Sequence, residues 1–406
     1  MIYKTHTLDN GIRIIFEPLE SAVTYCGMII DVGSRDEAES QWGAAHFIEH
    51  LLFKGTQRRT SRQIINAIEN VGGELNAYTA KEETVVYSCV LNDYAERAID
   101  VIGDVVLHST FPENEVEKER EVILDEILSY KDSPAELIFD DFEEQIFGNN
   151  SLAHNILGTP KTLKKLSAEN LRNFFTTQYQ PEKMVFFIVG KLDFNKIIRW
   201  TEKYFRSENF YKKNNFRQKP NSYLPEIKEI KKKTHQIHCV LGNCAYNYQN
   251  SRNLTLILLN NILGGAGMNS LLNLQLREKY ALVYQVESNY QPFTDCGLWS
   301  VYFACDSKDF TKCEKIIRRE LQKLRDKTLN INNLTKYKRQ LLGQLAIANE
   351  TNETRALNLG KSLLRFGEVK SLEKIKTELD KITVEDLQLV ANEIFNEKQI
   401  SILKYI

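Results

Sequence analysis

The sequence predicts an α+β protein built from two homologous α/β-sandwich domains, each with a mostly antiparallel sheet that has one face covered by helices. Three observations support this prediction. Short apolar runs typical of strands are interspersed with segments of helical periodicity along the 406 residues. A Lys- and Asn-rich stretch, 207–233, interrupts this pattern. The same order of elements then restarts, which indicates an internal duplication of one unit.

The first half opens with a predicted hairpin around Asn10-Gly11, a dipeptide that favours a two-residue turn. A charged turn, Lys81-Glu82-Glu83, separates two further strand-like runs, and Gly72-Gly73 ends the helix before them. Pro112 and Pro134 stand near predicted helix starts, where proline is tolerated. Predicted strands cover 4–9, 12–17, 25–32, 74–90 and 184–189, and predicted helices cover 61–71, 92–108, 113–131, 134–147 and 167–178.

The second half repeats the order of strands and helices. Predicted strands lie at 235–241, 283–290, 296–304 and 399–404, and predicted helices at 251–263, 269–279, 308–327, 331–349, 352–366 and 383–395. The interrupting stretch contains two prolines and ends in three lysines, as solvated linkers do. We therefore predict an N-terminal domain at 1–206, a linker at 207–234 and a C-terminal domain at 235–406.

Composition excludes several classes of protein. Hydrophobic residues make up 42% and charged residues 26% of the chain, as in ordinary globular proteins. The net charge of −1 provides no field that would attract nucleic acid or an anionic membrane. No apolar run approaches the roughly 18 residues of a membrane helix, and the N-terminus shows no signal-peptide core. We expect a cytoplasmic protein with no membrane or nucleic-acid partner.

The seven cysteines are an odd number and none forms C-x-x-C, so a cysteine zinc site is not expected. Reduced thiols in the cytoplasm are the simplest account of them.

The segment from Gly43 to Gly55 carries the most informative chemistry. On a helix, His46, Glu49 and His50 stand at i, i+3 and i+4 and share one face. Two imidazoles one turn apart can both reach one zinc ion, and a carboxylate between them can orient or deprotonate a water. Two half-buried histidines beside a solvated glutamate are the alternative interpretation. The pattern H-x-x-E-H is the inverzincin signature, which favours the metal site.

A third ligand must come from elsewhere in the chain. Glu119 and Glu126 lie seven residues apart and face the same way on a predicted helix, so either carboxylate is available. His154, in a loop near the Gly158-Thr159-Pro160 turn, is the other histidine near this region in sequence. The spacing of these residues along the chain does not by itself decide which of the three is the third ligand.

The motif and its surroundings resemble the pitrilysin and mitochondrial-processing-peptidase family of zinc metallopeptidases, the insulinase-like inverzincins. The resemblance rests on the run His46-Phe47-Ile48-Glu49-His50-Leu51-Leu52-Phe53-Lys54-Gly55-Thr56, and on Glu126, which follows His50 by 76 residues with Glu119 seven before it. It covers nearly the whole chain and is strongest with the half-length bacterial and organellar members.

The resemblance implies a zinc endopeptidase with one Zn²⁺ per chain. It implies that His46, His50 and Glu126 hold the metal and leave a fourth position for a water, whose proton Glu49 accepts. Glu119 is then expected to orient a ligand or to assist proton handling. His154 is expected to be a structural loop residue.

The resemblance also implies how a peptide is bound. An extended peptide is expected to add as a strand beside the segment Asn76, Ala77, Tyr78 and Thr79. Arg277 and Tyr284 have the spacing of the family's substrate- and transition-state-binding pair, after the glycine loop at 264–267. A guanidinium and a phenol are suitable donors to a carbonyl oxygen that acquires charge.

The second half has not kept the metal ligands. Aligning Gly267 with Gly43 places Ser270, Asn273 and Leu274 where His46, Glu49 and His50 stand. We therefore expect one zinc domain and one degenerate domain per chain. Full-length relatives have four such units that close as a clamshell chamber, so we predict a homodimer in which Arg277 and Tyr284 of one chain serve the zinc of the other.

Two alternatives stay open. The chain could be a non-catalytic or partner-dependent subunit of a heterodimeric processing peptidase, although such partners usually lose H-x-x-E-H. It could also be a structural zinc protein, although a closed structural site needs four protein ligands and three are evident.

Overall fold

A computed structural model describes residues 3–206, 217–221 and 223–406. It contains two β-sheets packed against helices, which confirms the predicted fold class. The strands are β1 Lys4–Thr7, β2 Arg13–Pro18, β3 Val23–Ile30, β4 Glu74–Thr79, β5 Thr84–Leu91, β6 Met184–Gly190, β7 Ile227–Ile230, β8 Ile237–Ala245, β9 Val283–Pro292, β10 Gly297–Cys305 and β11 Ser401–Tyr405.

The α-helices are α1 Ala44–Leu51, α2 Ser61–Glu69, α3 Ala95–Leu107, α4 Glu113–Lys131, α5 Pro134–Phe147, α6 Pro160–Leu163, α7 Ala168–Gln178, α8 Phe194–Tyr204, α9 Asn253–Gly264, α10 Phe310–Asp326, α11 Ile331–Ala348, α12 Asn352–Phe366, α13 Leu372–Lys381 and α14 Val384–Ile394. A π-helical turn, Asn273–Lys279, occupies much of the helix predicted at 269–279.

The two sheets share a five-stranded topology, to which the first sheet adds β1 at one edge. The first has the order β1-β2-β6-β3-β5-β4, and the second has the order β7-β11-β8-β10-β9. In each sheet the first strand of the repeat pairs in parallel with the last one, β2 with β6 and β7 with β11, and the other neighbours are antiparallel. This equivalence confirms the internal duplication, and it places β4 and β9 at corresponding sheet edges.

Both faces of each sheet are covered, so the expectation of one covered face was wrong. In the first sheet, one core lies under α1, α3, α4 and α7, and a second core is formed by Ala356, Leu359 and Leu363 of α12. In the second sheet, α9, α10 and α14 pack on one face and α5 on the other. The central strands β6 and β10 are buried at every residue. A continuous apolar run of this kind is typical of a strand that is covered on both sides.

Spatial proximity divides the described residues into two compact units. The first unit comprises the described residues within Met1–Ser129, His154–Gln218 and Ala348–Val369, and the second comprises those within Tyr130–Ala153, Lys219–Ile347 and Lys370–Ile406. The domain boundaries predicted from the sequence stay a prediction, and residues 207–216 and 222 of the predicted linker lie outside the described residues.

Four of these elements were not expected from the sequence, among them the short helix α6, which lies where a loop was predicted. Helix α8 begins after Asp193, whose side chain accepts a hydrogen bond from the backbone of Lys196, and α13 begins after Ser371, which caps Lys374 in the same way. Strand β7 falls within the predicted linker, where it pairs in parallel with β11 near the end of the chain. The buried turn at Lys81-Glu82-Glu83 also differs from a solvated charged turn.

In the part of the chain that the structure describes, no helix combines the length and the apolar character needed to cross a membrane.

Candidate metal centre

Helix α1 presents its two histidines and Glu49 on one side because its other side is fixed in the core. Ala44, Phe47, Ile48 and Leu51 are fully buried in the core under the first sheet. His46 is also largely buried, whereas His50 and Glu49 are partly exposed. The 3.6-residue periodicity then places the polar side chains together at the edge of this core.

Helix α4 brings a carboxylate to the two imidazoles. Its buried residues Val116 and Ile123 hold it in the same core, and Glu126 lies one turn from Ile123. Oε2 of Glu126 lies 3.8 Å from Nε2 of His46 and 3.6 Å from Nε2 of His50. In the described residues, His46, His50 and Glu126 are the group of three whose ligand atoms all lie within 4.8 Å of one another.

This group fits a zinc ion. Burial, with a contribution from the neighbouring His50, lowers the pKa of His46 to about 3, so its imidazole is neutral at pH 7. Neutral imidazole and carboxylate are zinc ligands, and a catalytic site uses three of them. The nitrogen–oxygen separations are close to the roughly 3.3 Å expected between ligands about 2.0–2.1 Å from one tetrahedral ion.

Glu119 holds His50 from the side opposite Glu126. Its Oε2 lies 3.1 Å from Nδ1 of His50, and its Oε1 lies 2.6 Å from Nζ of Lys54. A carboxylate accepts hydrogen bonds, so Nδ1 of His50 carries the proton. The Nε2 atom of His50 therefore presents its lone pair towards Glu126. The sequence alone did not indicate a role for Lys54, although Lys54 lies in the run from His46 to Thr56.

Glu49 lies beside the cluster without completing it. Its Oε2 is 4.0 Å from Nε2 of His46 and accepts a hydrogen bond of 3.3 Å from Oγ1 of Thr79. Burial raises the pKa of Glu49, against the opposing effects of His50 and Thr79. A carboxylate with a raised pKa is suited to accept a proton and to give it back near neutral pH.

A pocket of about 360 Å³ opens next to Glu49 and His50. Its walls include Phe53, Ile65 and Leu75, and Glu119 and Lys54 also line it. The pocket is large enough for one side chain of a bound peptide.

The edge strand β4 runs beside α1. Thr79 reaches Glu49, and Leu75 and Ala77 pack on the same side, against the core that contains α1. Tyr78 packs on the other face of the sheet, where Nζ of Lys361 lies 5.3 Å from its ring, and Asn76 is exposed. Of the four residues expected to bind the substrate, the structure thus brings the side chain of Thr79 to the site. In the described sheet, β4 pairs with β5 alone, which leaves its outer edge open.

Arg277 and Tyr284 lie together in the second unit. Arg277 lies near the end of the π-helical turn, and Tyr284 is on β9, the edge strand that corresponds to β4. The guanidinium carbon of Arg277 lies 5.9 Å from the centre of the Tyr284 ring, and that tyrosine is 85% exposed. The pair forms a donor surface next to an open sheet edge.

His154 lies apart from the cluster. Its Nε2 is 2.9 Å from Oε2 of Glu37, and its ring stacks on that of Trp42 with centres 4.9 Å apart.

Comparison with known proteins identifies relatives along the whole chain. Residues 13–160 match the family described as "Insulinase (Peptidase family M16)", and residues 165–341 match the one described as "Peptidase M16 inactive domain". A Bacillus subtilis (strain 168) protein named "Uncharacterized zinc protease YmxG" is 33% identical over 97% of this chain and 96% of its own length. The "Uncharacterized zinc protease SCO5738" of Streptomyces coelicolor is 34% identical over 97% of this chain and 87% of its own length.

Two solved structures have the same fold. The crystal structure of a peptidase M16 inactive domain from Pseudomonas fluorescens has a TM-score of 0.93 at 19% identity, covering 100% of this chain and 98% of that one. The crystal structure of a protease from Helicobacter pylori has a TM-score of 0.91 at 21% identity, and the match covers 100% of this chain and 99% of that one.

Proposed function

The chain belongs to the insulinase family of peptidases, family M16, and from this membership we propose that it is a zinc-dependent endopeptidase. Its substrates are peptides or unfolded, presequence-like polypeptides bound in extended form. The observation that carries the proposal is the convergence of His46, His50 and Glu126, with Glu49 beside them. The two relatives that are named zinc proteases support it.

His46, His50 and Glu126 hold one zinc ion per chain. Zinc bound there supplies Lewis acidity, which polarises a scissile carbonyl and lowers the pKa of water. The donor set comes from residues 1–206, which we propose as the catalytic domain, whereas 235–406 has lost the corresponding ligands.

Glu49 moves the proton. It accepts a proton from the attacking water as the new carbon–oxygen bond forms at the peptide carbonyl. It then donates that proton to the amine nitrogen as the carbon–nitrogen bond breaks, so the carboxylate is restored at the end of the cycle. The hydrogen bond from Thr79 holds one oxygen of Glu49 in place for both steps.

Glu119 is a positioning residue for His50. Its carboxylate, between Lys54 and His50, fixes the tautomer and the ring orientation of the imidazole.

The substrate binds as an added strand on the open edge of β4. Main-chain hydrogen bonds from alternate residues of the segment Asn76, Ala77, Tyr78 and Thr79 hold the peptide backbone, and the pocket beside Glu49 receives one of its side chains. Because Thr79 of β4 contacts Glu49 of α1, a peptide paired with β4 lies at a fixed position relative to Glu49.

The active assembly is a homodimer that encloses the substrate in a clamshell chamber. Arg277 and Tyr284 of one chain donate to the carbonyl oxygen at the zinc of its partner. The exposure of Tyr284 and its contact with Arg277 support this role, since the pair is available at a surface.

The test is metal analysis of the purified chain together with hydrolysis of internally quenched peptides. The proposal predicts about one zinc per chain, loss of hydrolysis on chelation, and recovery when zinc is returned. A chain that binds zinc but hydrolyses only in the presence of a homologous second subunit would support the alternative, a partner-dependent subunit of a heterodimer. The intact H-x-x-E-H motif favours the self-sufficient enzyme. The cytoplasmic location stays a prediction.

A further inference from the structure

The N-terminus of α1 is bound by a buried carboxylate that the proposed chemistry does not use. The side chain of Glu37 is fully buried, and its two oxygens accept hydrogen bonds from the backbone at the start of the helix. Oε1 lies 2.7 Å from the nitrogen of Ala45, and Oε2 lies 2.8 Å from the nitrogen of Gly43. Gly43 itself has no side chain to cap the helix, so Glu37 satisfies two backbone groups that would otherwise be unpaired.

His154 holds Glu37 from the other side. Its Nε2 donates to Oε2 of Glu37 at 2.9 Å, and its ring lies nearly parallel to that of Trp42, the residue before Gly43. The carbonyl oxygen of His154 accepts a hydrogen bond of 2.6 Å from Nζ of the buried Lys81. Lys81 follows β4 by two residues. The network therefore connects the start of α1 to the end of the proposed substrate strand.

The backbone in this region is too closely packed to move freely. Gly43 has φ +95° and Gly158 has φ +70°, in the region where L side chains are strained. A Cβ on Gly158 would lie 2.4 Å from the carbonyl oxygen of Trp42, and one on Gly43 would lie 2.8 Å from that of Leu157. The loop with His154 therefore sits directly against the chain that enters α1.

The ends of α1 are thus fixed at two points. Glu37 and His154 hold the first turn, and the Thr79 hydroxyl contacts Glu49 in the turn that carries the second histidine. Since α1 has eight residues, a displacement of its first turn also displaces His46 relative to Glu126 on α4. Metal and catalytic groups need to be held to within about 0.5 Å of their productive geometry.

We propose that Glu37 is a positioning residue of the metal centre, and that His154 orients it for that task. Together, Glu37 and His154 fix the position of α1. The position of α1 in turn determines where His46 and Glu49 lie relative to Glu126 and the edge of β4. This inference rests on the proposed zinc site, but it does not depend on peptide hydrolysis. Glu37 could not be recognised from the sequence, because it lies six residues before Gly43, outside the N-cap position from which a side chain ordinarily caps a helix.

The decisive variant is Glu37→Gln, which keeps the size of the side chain but replaces one acceptor oxygen with an amide group. That group cannot accept from a backbone N–H, so one contact to α1 is lost. Glu17→Gln is the matched control, because Glu17 is a buried carboxylate of β2 whose partner is Arg355 of α12. His154→Phe is the second variant, since it keeps an aromatic ring against Trp42 and removes the donor to Glu37.

The readouts are the zinc dissociation constant by chelator competition, the visible d–d spectrum of the cobalt-substituted protein, and the melting temperature without metal. Glu37→Gln is expected to weaken zinc binding about tenfold to 100-fold and to alter the cobalt spectrum, as the loss of an outer contact to a metal site does. His154→Phe is expected to change the zinc affinity and the cobalt spectrum in the same direction, but by a smaller amount. Glu17→Gln should lower the melting temperature and leave zinc affinity and spectrum unchanged.

The proposal is overturned if Glu37→Gln, or His154→Phe where the first variant does not fold, lowers the melting temperature while zinc affinity and cobalt spectrum match the wild type. Wild-type protein that binds no zinc also overturns it. Zinc-binding protein without peptidase activity would contradict the proposed function alone, because affinity and spectrum still report the position of α1.

Discussion

Nδ1 of His50 lies 3.1 Å from Oε2 of Glu119, so one of the two imidazoles of the metal cluster is held by a buried carboxylate on a different helix. The other oxygen of Glu119 contacts Lys54, which keeps the carboxylate from rotating towards the cluster. The same helix, α4, thus supplies a group for each ring nitrogen of His50: Glu119 at Nδ1 and Glu126 at Nε2.

The first prediction concerns this contact. Glu119→Ala should weaken zinc binding about tenfold to 100-fold, because His50 loses the group that fixes its tautomer and orientation. Chelator competition measures the effect. Glu69→Ala is the control, since Glu69 is an exposed carboxylate that lines the same pocket. Equal losses in both variants would mean that general negative charge, rather than the contact to His50, supports the metal.

The second prediction concerns the ligands themselves. Glu126→Gln and His50→Ala should each lose zinc on dialysis, since each removes one of three protein donors. Excess zinc is expected to restore part of the activity. Zinc content after dialysis is the measurement. If Glu126→Gln retains zinc as tightly as the wild type, the third ligand lies elsewhere, and Glu119 is the first candidate.

The fold class could be predicted because it follows from local periodicity, whereas only part of the candidate site could be, since the choice of Glu126 as third ligand came from the family resemblance. The i, i+3, i+4 spacing of His46, Glu49 and His50 places them on one helical face wherever that helix lies. The duplicated order of strands was equally readable, and the shared sheet topology confirms it.

What the sequence could not predict depends on contacts between distant segments. Strand β7 exists because β11, more than 170 residues later, offers it a partner. Lys81, Glu82 and Glu83 are polar enough for a solvated turn, yet they are buried because charged and backbone groups from distant segments surround them, including Arg35 and the carbonyl of His154. Glu37 caps α1 from a loop, and no local pattern marks it.

The third prediction concerns substrate binding. If a peptide adds to the open edge of β4, its backbone N–H groups contribute directly to affinity. Two series of peptide substrates can be methylated on alternate backbone nitrogens, one on the odd positions and one on the even positions. Because successive residues of a strand point in opposite directions, only one series should bind more weakly and the other should bind normally. Inhibition constants of the two methylated series measure this. Equal affinity for both series would show that the peptide does not bind as a strand.

The fourth prediction concerns assembly. A mixture of inactive Glu49→Gln and inactive Tyr284→Phe chains should regain activity if Tyr284 acts on the zinc of the partner. Random exchange makes half of the dimers mixed, each with one intact site, so recovery should approach about a quarter of the wild-type activity. Chain exchange is verified separately with two affinity tags. A mixture that exchanges and stays inactive places Tyr284 in its own chain's site or outside catalysis, and an active monomer would also refute the dimer.

The most direct test of the account is a paired measurement on Glu49→Gln: zinc content after dialysis, and the rate of peptide hydrolysis. Glu49 lies 4.0 Å from His46 but is not needed among the three ligands, so the variant should keep about one zinc per chain and the melting temperature of the wild type. Hydrolysis should fall by a factor of about 10² to 10⁴, the contribution typical of a positioned proton acceptor. A variant that hydrolyses peptide at the wild-type rate, or that loses its zinc, would contradict the role assigned to Glu49.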